Sequence, residues 1–152
     1  MRNVALSLAG STGIKGGCVN KVVFACVHSA GRSQMSAAWF NHFADPRLAH
    51  AAAAGTEPAD QVHPVVVETM REIGIDLSRA KPQLLTEDLV RDAAMLITMG
   101  CGERCPVTPE RVKRDDWELE DPKGKSAERV REIRDGIRDR VKRLVEAEGW
   151  AR

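Results

Sequence analysis

A parallel sheet covered by helices on both faces, an α/β domain, is the architecture this sequence predicts, and three observations predict it. Short continuous apolar runs of the length of buried strands occur at Val22 to Ala25 and at Ala93 to Met99. Amphipathic helical patterns alternate with them, as parallel strands require of their crossover connections. The chain has 152 residues, 43% of them hydrophobic and 30% charged, which suits one globular domain with its own core.

The elements follow in order. Val22, Val23, Phe24 and Ala25 form the first strand, which ends at Cys26. From Ser33 onward the apolar positions Met35, Ala38, Trp39, His42 and Phe43 fall on one helical stripe. Leu48 to Ala54 is alanine-rich and favours helix by propensity, yet it is short and bounded by Asp45-Pro46 and Gly55-Thr56, so alternation of elements makes it a strand. Pro64 suits the first position of a helix carrying Val65, Val66, Val67, Met70 and Ile73, which Gly74 closes. Ala93 to Met99 is the next strand, and Asp116 to Leu119 a short further one. Ser126 caps a long final helix with Val130, Ile133, Ile137, Val141 and Leu144 along one face and a charged, solvated face opposite. Residues 1–20 are rich in glycine and small side chains and are expected to form a disordered extension, leaving 21–152 as the domain.

Charge and composition narrow the function classes. Lys plus Arg number 23 against 22 Asp plus Glu, a net charge of +1, which gives no reason to expect nucleic acid or a membrane surface as partner. No apolar run reaches bilayer length, and Val4 to Ala9 is too short for the core of a signal peptide, so a cytoplasmic location is expected. The four cysteines, Cys18, Cys26, Cys101 and Cys105, are too few and too unevenly spaced for a secreted disulfide scaffold. In a reducing compartment chemistry explains them better.

Chemistry concentrates first at Cys26. Between Cys26 and Arg32 stand Val27, His28, Ser29, Ala30 and Gly31, a short loop joining a strand end to a helix start. Successive amides in such a loop converge on an anion, and the helix N-terminus adds its positive end. Ala30 and Gly31 let the backbone approach closely, and Arg32 supplies a planar fork of donors for a tetrahedral oxyanion. That field also favours a thiolate nucleophile, which the Ser29 and Ser33 hydroxyls are able to hydrogen-bond. A buried structural cysteine beside a capping serine is the plainer alternative. Cys, Arg and Ser in register at this junction favour the chemical reading.

Two clusters lie further on. Met99-Gly100-Cys101-Gly102-Glu103-Arg104-Cys105-Pro106 directly follows the second apolar strand. Its two thiols, with three residues between them, are placed to form a disulfide or to attack a nearby sulfur. Zinc is the rival occupant, but only His28, Cys26 and Cys18 offer further ligands and no second closely spaced pair exists, so no metal is expected. In Trp117-Glu118-Leu119-Glu120-Asp121-Pro122, an acid fixed before proline suits a general acid; alone, Asp-Pro is only a turn. Trp117 is expected in the core.

The segments CVHSAGRSQMSAAW, AAGTEPADQVHPVVVETMREIGIDL, LITMGCGERCPVTPE, DDWELEDP and REIRDGIRDRV together resemble the arsenate reductases of the low-molecular-weight protein tyrosine phosphatase superfamily. The resemblance runs in order from Lys21 to the last helix and implies a four-stranded parallel sheet. It implies Cys26 as nucleophile, Arg32 as oxyanion clamp within the loop Val27 to Arg32, Ser33 as thiolate partner, Asp121 as general acid, and Cys101 with Cys105 as a redox shuttle. It further implies arsenate as substrate and no tightly bound cofactor. Electrons would come from NADPH through thioredoxin reductase and thioredoxin, with mycothiol and a mycoredoxin as the alternative donor.

The chain departs from that pattern in three places. Ser29 stands where the family usually has Asn, a residue that helps hold the loop and, in some members, a potassium site. The stretch Thr108 to Arg114 is more polar than usual. Finally, the chain has no Tyr, and Lys123-Gly124 follows Asp121-Pro122, whereas related phosphatases present tyrosines there to grip an aromatic ring. A low-molecular-weight tyrosine phosphatase is therefore the second enzymatic reading, and a non-catalytic arsenite-binding thiol sensor, for which Arg32 and Asp121 would be superfluous, the third.

Overall fold

The structure, a computed structural model, describes residues 19–100 and 108–152; Cys18, Cys101, Cys105 and almost all of the expected extension 1–20 lie outside the described residues. The elements run β1 (Asn20–Cys26), α1 (Arg32–Phe43), β2 (Ala49–Gly55), α2 (Pro64–Arg71), α3 (Glu87–Arg91), β3 (Met95–Thr98), β4 (Lys113–Asp116) and α4 (Ala127–Glu148). They form the expected α/β architecture around a four-stranded sheet of order β2-β1-β3-β4, with every neighbouring pair parallel.

Because side chains alternate along a strand, the sheet divides the apolar residues between two faces. Val22, Phe24, Met95 and Ile97 join Met35 and Phe40 of α1, Val66 and Met70 of α2, and Val130, Ile137 and Val141 of α4 in the larger core. Val23, Ala25 and Leu96 face the smaller one with Leu85, Val90 and Val112. Phe24, fully buried, meets Phe40 edge-on at 6.0 Å and Trp117 at 5.7 Å. Burial of side chains of this size contributes about 1.5–3 kcal/mol each.

Pairing overrides propensity in β2, whose alanines register residue by residue against Asn20 to Cys26. The free edge of this strand is closed by side chains. Asn41 accepts from the Ala51 amide at 2.8 Å and donates to its carbonyl at 3.0 Å, and Gln83 donates to the Ala53 carbonyl at 2.9 Å. These bonds occupy backbone groups that an edge strand otherwise offers to another chain.

Three expectations are corrected. The fourth strand is Lys113–Asp116, ahead of the expected Asp116 to Leu119; all its residues are exposed, so no apolar run announces it. Trp117, just beyond the strand, turns into the core with its indole donating to Asp115. The helix α3 went unforeseen, because five residues are too few for a periodic signal; Thr86 caps it by accepting from the Leu89 amide at 3.1 Å. On α1, burial extends to Ala37 and Phe40 while His42 is exposed, since the helix lies between the sheet and α4.

Helix ends follow their sequence signals. Pro64 opens α2 at the first turn, and Gly74 has a left-handed φ of 84° shortly after that helix. Ser126 caps α4 by accepting from the Arg129 amide, and Gly149 closes it at φ 77°. The helices α2 and α4 are fastened by Arg134, which donates to the Thr69 carbonyl at 2.8 Å and pairs with Glu72, itself held by Arg131.

Candidate active site

At the carboxyl end of β1, in the middle of the sheet, the chain leaves the strand at Cys26 and enters α1 at Arg32. Ligand sites of open parallel sheets lie at this end of the strands. Cys26 is 2% exposed. The Ser33 hydroxyl stands 3.2 Å from its sulfur, placed to receive a bond from the thiol or to donate one to the thiolate. Ser29, the other hydroxyl considered for that role, lies instead beside the Gln34 side-chain amide at 3.3 Å.

The loop carbonyls are turned outward. Those of Cys26, Val27, His28 and Ala30 accept from the amides of Thr56, Glu57, Ala59 and His63, at 3.2, 2.7, 2.9 and 3.0 Å. The Gly31 carbonyl accepts from Met35 at 2.9 Å. Conversely, none of the amides from His28 to Arg32 donates to another backbone carbonyl among the described residues. Ser29 has a left-handed φ of 53°, the alternation of backbone handedness that turns consecutive N–H groups to one side. The helix α1 also lacks a side-chain cap and has no acid in its first turn, so no side chain of its own meets the positive end of its dipole.

Two glycines make this loop possible. A Cβ on Gly31 would stand 2.6 Å from Pro122, so the glycine lets the Asp121-Pro122 segment lie over the loop. One on Gly55 would stand 2.5 Å from the Val27 carbonyl and 2.8 Å from the Ser29 amide, where β2 passes beneath.

Asp121 comes to the pocket from beyond β4. One carboxylate oxygen accepts from the Lys123 amide at 3.0 Å, which fixes its orientation, and the other lies 3.6 Å from the Arg32 guanidinium. The Arg32 side chain also lies against the backbone of Gly100, where a Cβ would be 3.0 Å from its Nη1. Gly100, at φ 90°, immediately precedes Cys101.

Cys26, Arg32, Ser33 and Asp121 are thus brought around one loop made of Val27, His28, Ser29, Ala30 and Gly31, while Cys101 and Cys105 lie outside the described residues. Sequence reasoning missed His63 and Gln34. His63 lies beside Gly31 and Pro122, and burial pushes its imidazole pKa down, opposed by the nearby Asp121 carboxylate. Its only sequence signal was the His-Pro start of α2. The neighbouring His28 directs Nδ1 to the Glu57 carbonyl at 3.0 Å, which requires the proton on that nitrogen. Among the described residues, no group of three or more His, Cys, Asp or Glu is placed to hold a metal ion, and no helix is long and apolar enough to cross a membrane.

Known proteins resemble this chain in sequence and fold. A Halobacterium salinarum protein is 42% identical over 125 residues, covering 80% of this chain and 87% of its own. The arsenate reductase of Bacillus licheniformis is 35% identical over 135 residues, covering 82% and 94%. Among solved structures, the thioredoxin-dependent arsenate reductase of Corynebacterium glutamicum superposes with a TM-score of 0.74 at 38% identity over 85% of this chain, which spans 61% of that protein's length. An arsenate reductase from Archaeoglobus fulgidus gives 0.69 at 32% identity, covering 82% of this chain and 98% of its own. The profile of the low molecular weight phosphotyrosine protein phosphatases matches residues 21–149, which takes in the Cys26 loop, the Asp121 segment and all of the sheet but Asn20. With loop, acid and nearly all of the sheet inside that match, the chain belongs to the low molecular weight phosphotyrosine protein phosphatase family.

Proposed function

We propose that this protein is an arsenate reductase that uses Cys26 as nucleophile and Cys101 with Cys105 as a dithiol shuttle regenerated by thioredoxin. The observation that carries the reading is the single loop between Cys26 and Arg32, whose carbonyls are tied outward while its amides from His28 to Arg32 meet no backbone carbonyl among the described residues, with Asp121 3.6 Å from the Arg32 guanidinium. The similarity to arsenate reductases of other organisms supports the choice of arsenate, and the thioredoxin-dependent relative supports the donor.

Each group then has one task. The loop amides and Arg32 hold three oxygens of arsenate, and the Ser33 hydroxyl donates to the Cys26 thiolate. Cys26 attacks arsenic(V) while Asp121 protonates the departing oxygen, which leaves as water and gives a Cys26 sulfur–arsenic bond. Cys101 thiolate attacks the Cys26 sulfur; the sulfur–arsenic bond breaks with its electron pair passing to arsenic, which leaves as arsenite. Cys105 next attacks Cys101, freeing Cys26 and leaving a Cys101 to Cys105 disulfide. A thioredoxin dithiol reduces that disulfide and is itself oxidised, with NADPH as the ultimate source of the two electrons.

The family match and the intact loop also favour slow cleavage of phosphate monoesters, which needs Cys26 and Asp121 but neither of the other cysteines. The deciding experiment is arsenate-dependent NADPH oxidation with thioredoxin and thioredoxin reductase, comparing wild type with Cys105→Ala. Turnover in wild type that vanishes in the variant is expected, with phosphate-ester cleavage retained. Turnover surviving in Cys105→Ala would sink the shuttle, and wild-type turnover only with mycothiol and mycoredoxin would replace the donor.

A further inference from the structure

We propose that Gln34 is a positioning residue for oxyanion binding: its side-chain amide holds Ser29 in the left-handed conformation that keeps the loop amides turned inward. The proposal rests on the reading of the Cys26 loop as an oxyanion site.

Every other carbonyl from Cys26 to Gly31 is drawn outward by a backbone amide, and Ser29 alone is served by a side chain. Gln34 Nε2 donates to the Ser29 carbonyl at 2.9 Å and approaches the Ser29 hydroxyl and the Lys81 carbonyl, each at 3.3 Å. Ser29 is fully buried and, among the described residues, is the single non-glycine residue with positive φ. Such a conformation is uncommon for a residue with a Cβ and persists only where its surroundings hold it.

Gln34 is built for this duty. It sits in the first turn of α1, is 6% exposed, and so is a fixed donor. Its contact with the Lys81 carbonyl, 47 residues along the chain, gives the amide a second anchor outside the loop. Without the donor, the Ser29 carbonyl is left buried and unpaired, and rotating the Ser29–Ala30 peptide relieves it. That rotation points the carbonyl into the pocket and the Ala30 N–H out, exchanging a donor for an acceptor where an anion binds. Gln34 therefore acts through Ser29, without touching the substrate.

The test is calorimetric titration of inorganic arsenate and inorganic phosphate into wild type, Gln34→Met, and Gln34→Met combined with Ser29→Gly. Methionine matches the shape of glutamine and lacks the donor. The expected result is about tenfold weaker binding of both anions in Gln34→Met, in line with loss of one buried hydrogen bond, with KM for arsenate rising more than kcat falls. Adding Ser29→Gly should recover part of the affinity, because glycine adopts the left-handed conformation unaided. Should Gln34→Met fail to fold, Gln34→Asn, which withdraws the amide by one methylene, should show a smaller loss of the same sign. Unchanged affinity in the folded variant, or a loss that Ser29→Gly leaves untouched, overturns the proposal. Absence of binding by wild type overturns the oxyanion reading itself.

Discussion

The two helix N-termini that matter most here are finished in opposite ways. At α4, Ser126 caps the first turn and Glu128 lies within it, so the exposed amides and the positive end of the dipole are met by the protein itself. At α1, Gly31 precedes the helix, no side chain caps it, and its first turn carries no acid. One end is met by the protein's own side chains; the other is not, and on the proposed function it receives the substrate anion. The difference shows how a fold assigns similar backbone groups to structure or to chemistry through one or two residues.

The comparison is broken most severely at the α1 end. Cys26→Ser should abolish both arsenate reduction and phosphate-ester cleavage while leaving anion binding, because neither reaction starts without the sulfur; activity above about a thousandth of wild type would contradict the nucleophile assignment. Asp121→Asn should slow formation of the covalent adduct by roughly 10²–10⁴-fold, the range typical of a lost general acid, at nearly unchanged affinity for phosphate. Single-turnover kinetics would check this, and unchanged rates would remove the acid role. At the α4 end, Ser126→Ala should lower stability by about 1 kcal/mol in urea unfolding and leave kcat/KM as it was.

The smallest expected effect sharpens the contrast by pH. Burial lowers the His63 pKa below its unfolded value near 6.5, so the unfolded chain binds the extra proton more readily. The stability that this group contributes is fully present above about pH 6.5 and is lost as pH falls through the folded value. His63→Gln should flatten the stability profile on that acid side, with the profile above neutrality unchanged. Equal slopes in both proteins would show that His63 is not desolvated.

What was legible in the sequence was local. Cys26, Ser33 and Arg32 stand within one strand-to-helix junction, so their meeting requires no knowledge of the rest of the fold. Asp121 needs the topology to carry its segment back so that Pro122 lies over Gly31, and its acid role is an expectation of the motif resemblance, since Asp-Pro alone suggests a turn. The alanines of β2 read as a strand only because strands and helices must alternate, whereas the exposed, charged β4 offers no pattern and lies ahead of the apolar residues that suggest it. Gln34 was invisible for a related reason. Half of its duty lies toward Lys81, far away in the chain, and a glutamine on a helix carries no local sign of that.

The outward tethers of the loop also bear on how this site tolerates sequence change. Since the main chain of residues 56–63 grips the carbonyls of Cys26, Val27, His28 and Ala30, the shape of the loop is set with little help from the side chain of Val27, while His28 adds a tie of its own to the Glu57 carbonyl. Substitution at Val27 is thus free to retune entry and selectivity without dismantling the cradle, whereas Gly31 and Gly55 have no such latitude. In a library of single replacements, the positions nearest the bound anion should include some of the most permissive, and a glycine in the neighbouring strand β2 one of the least.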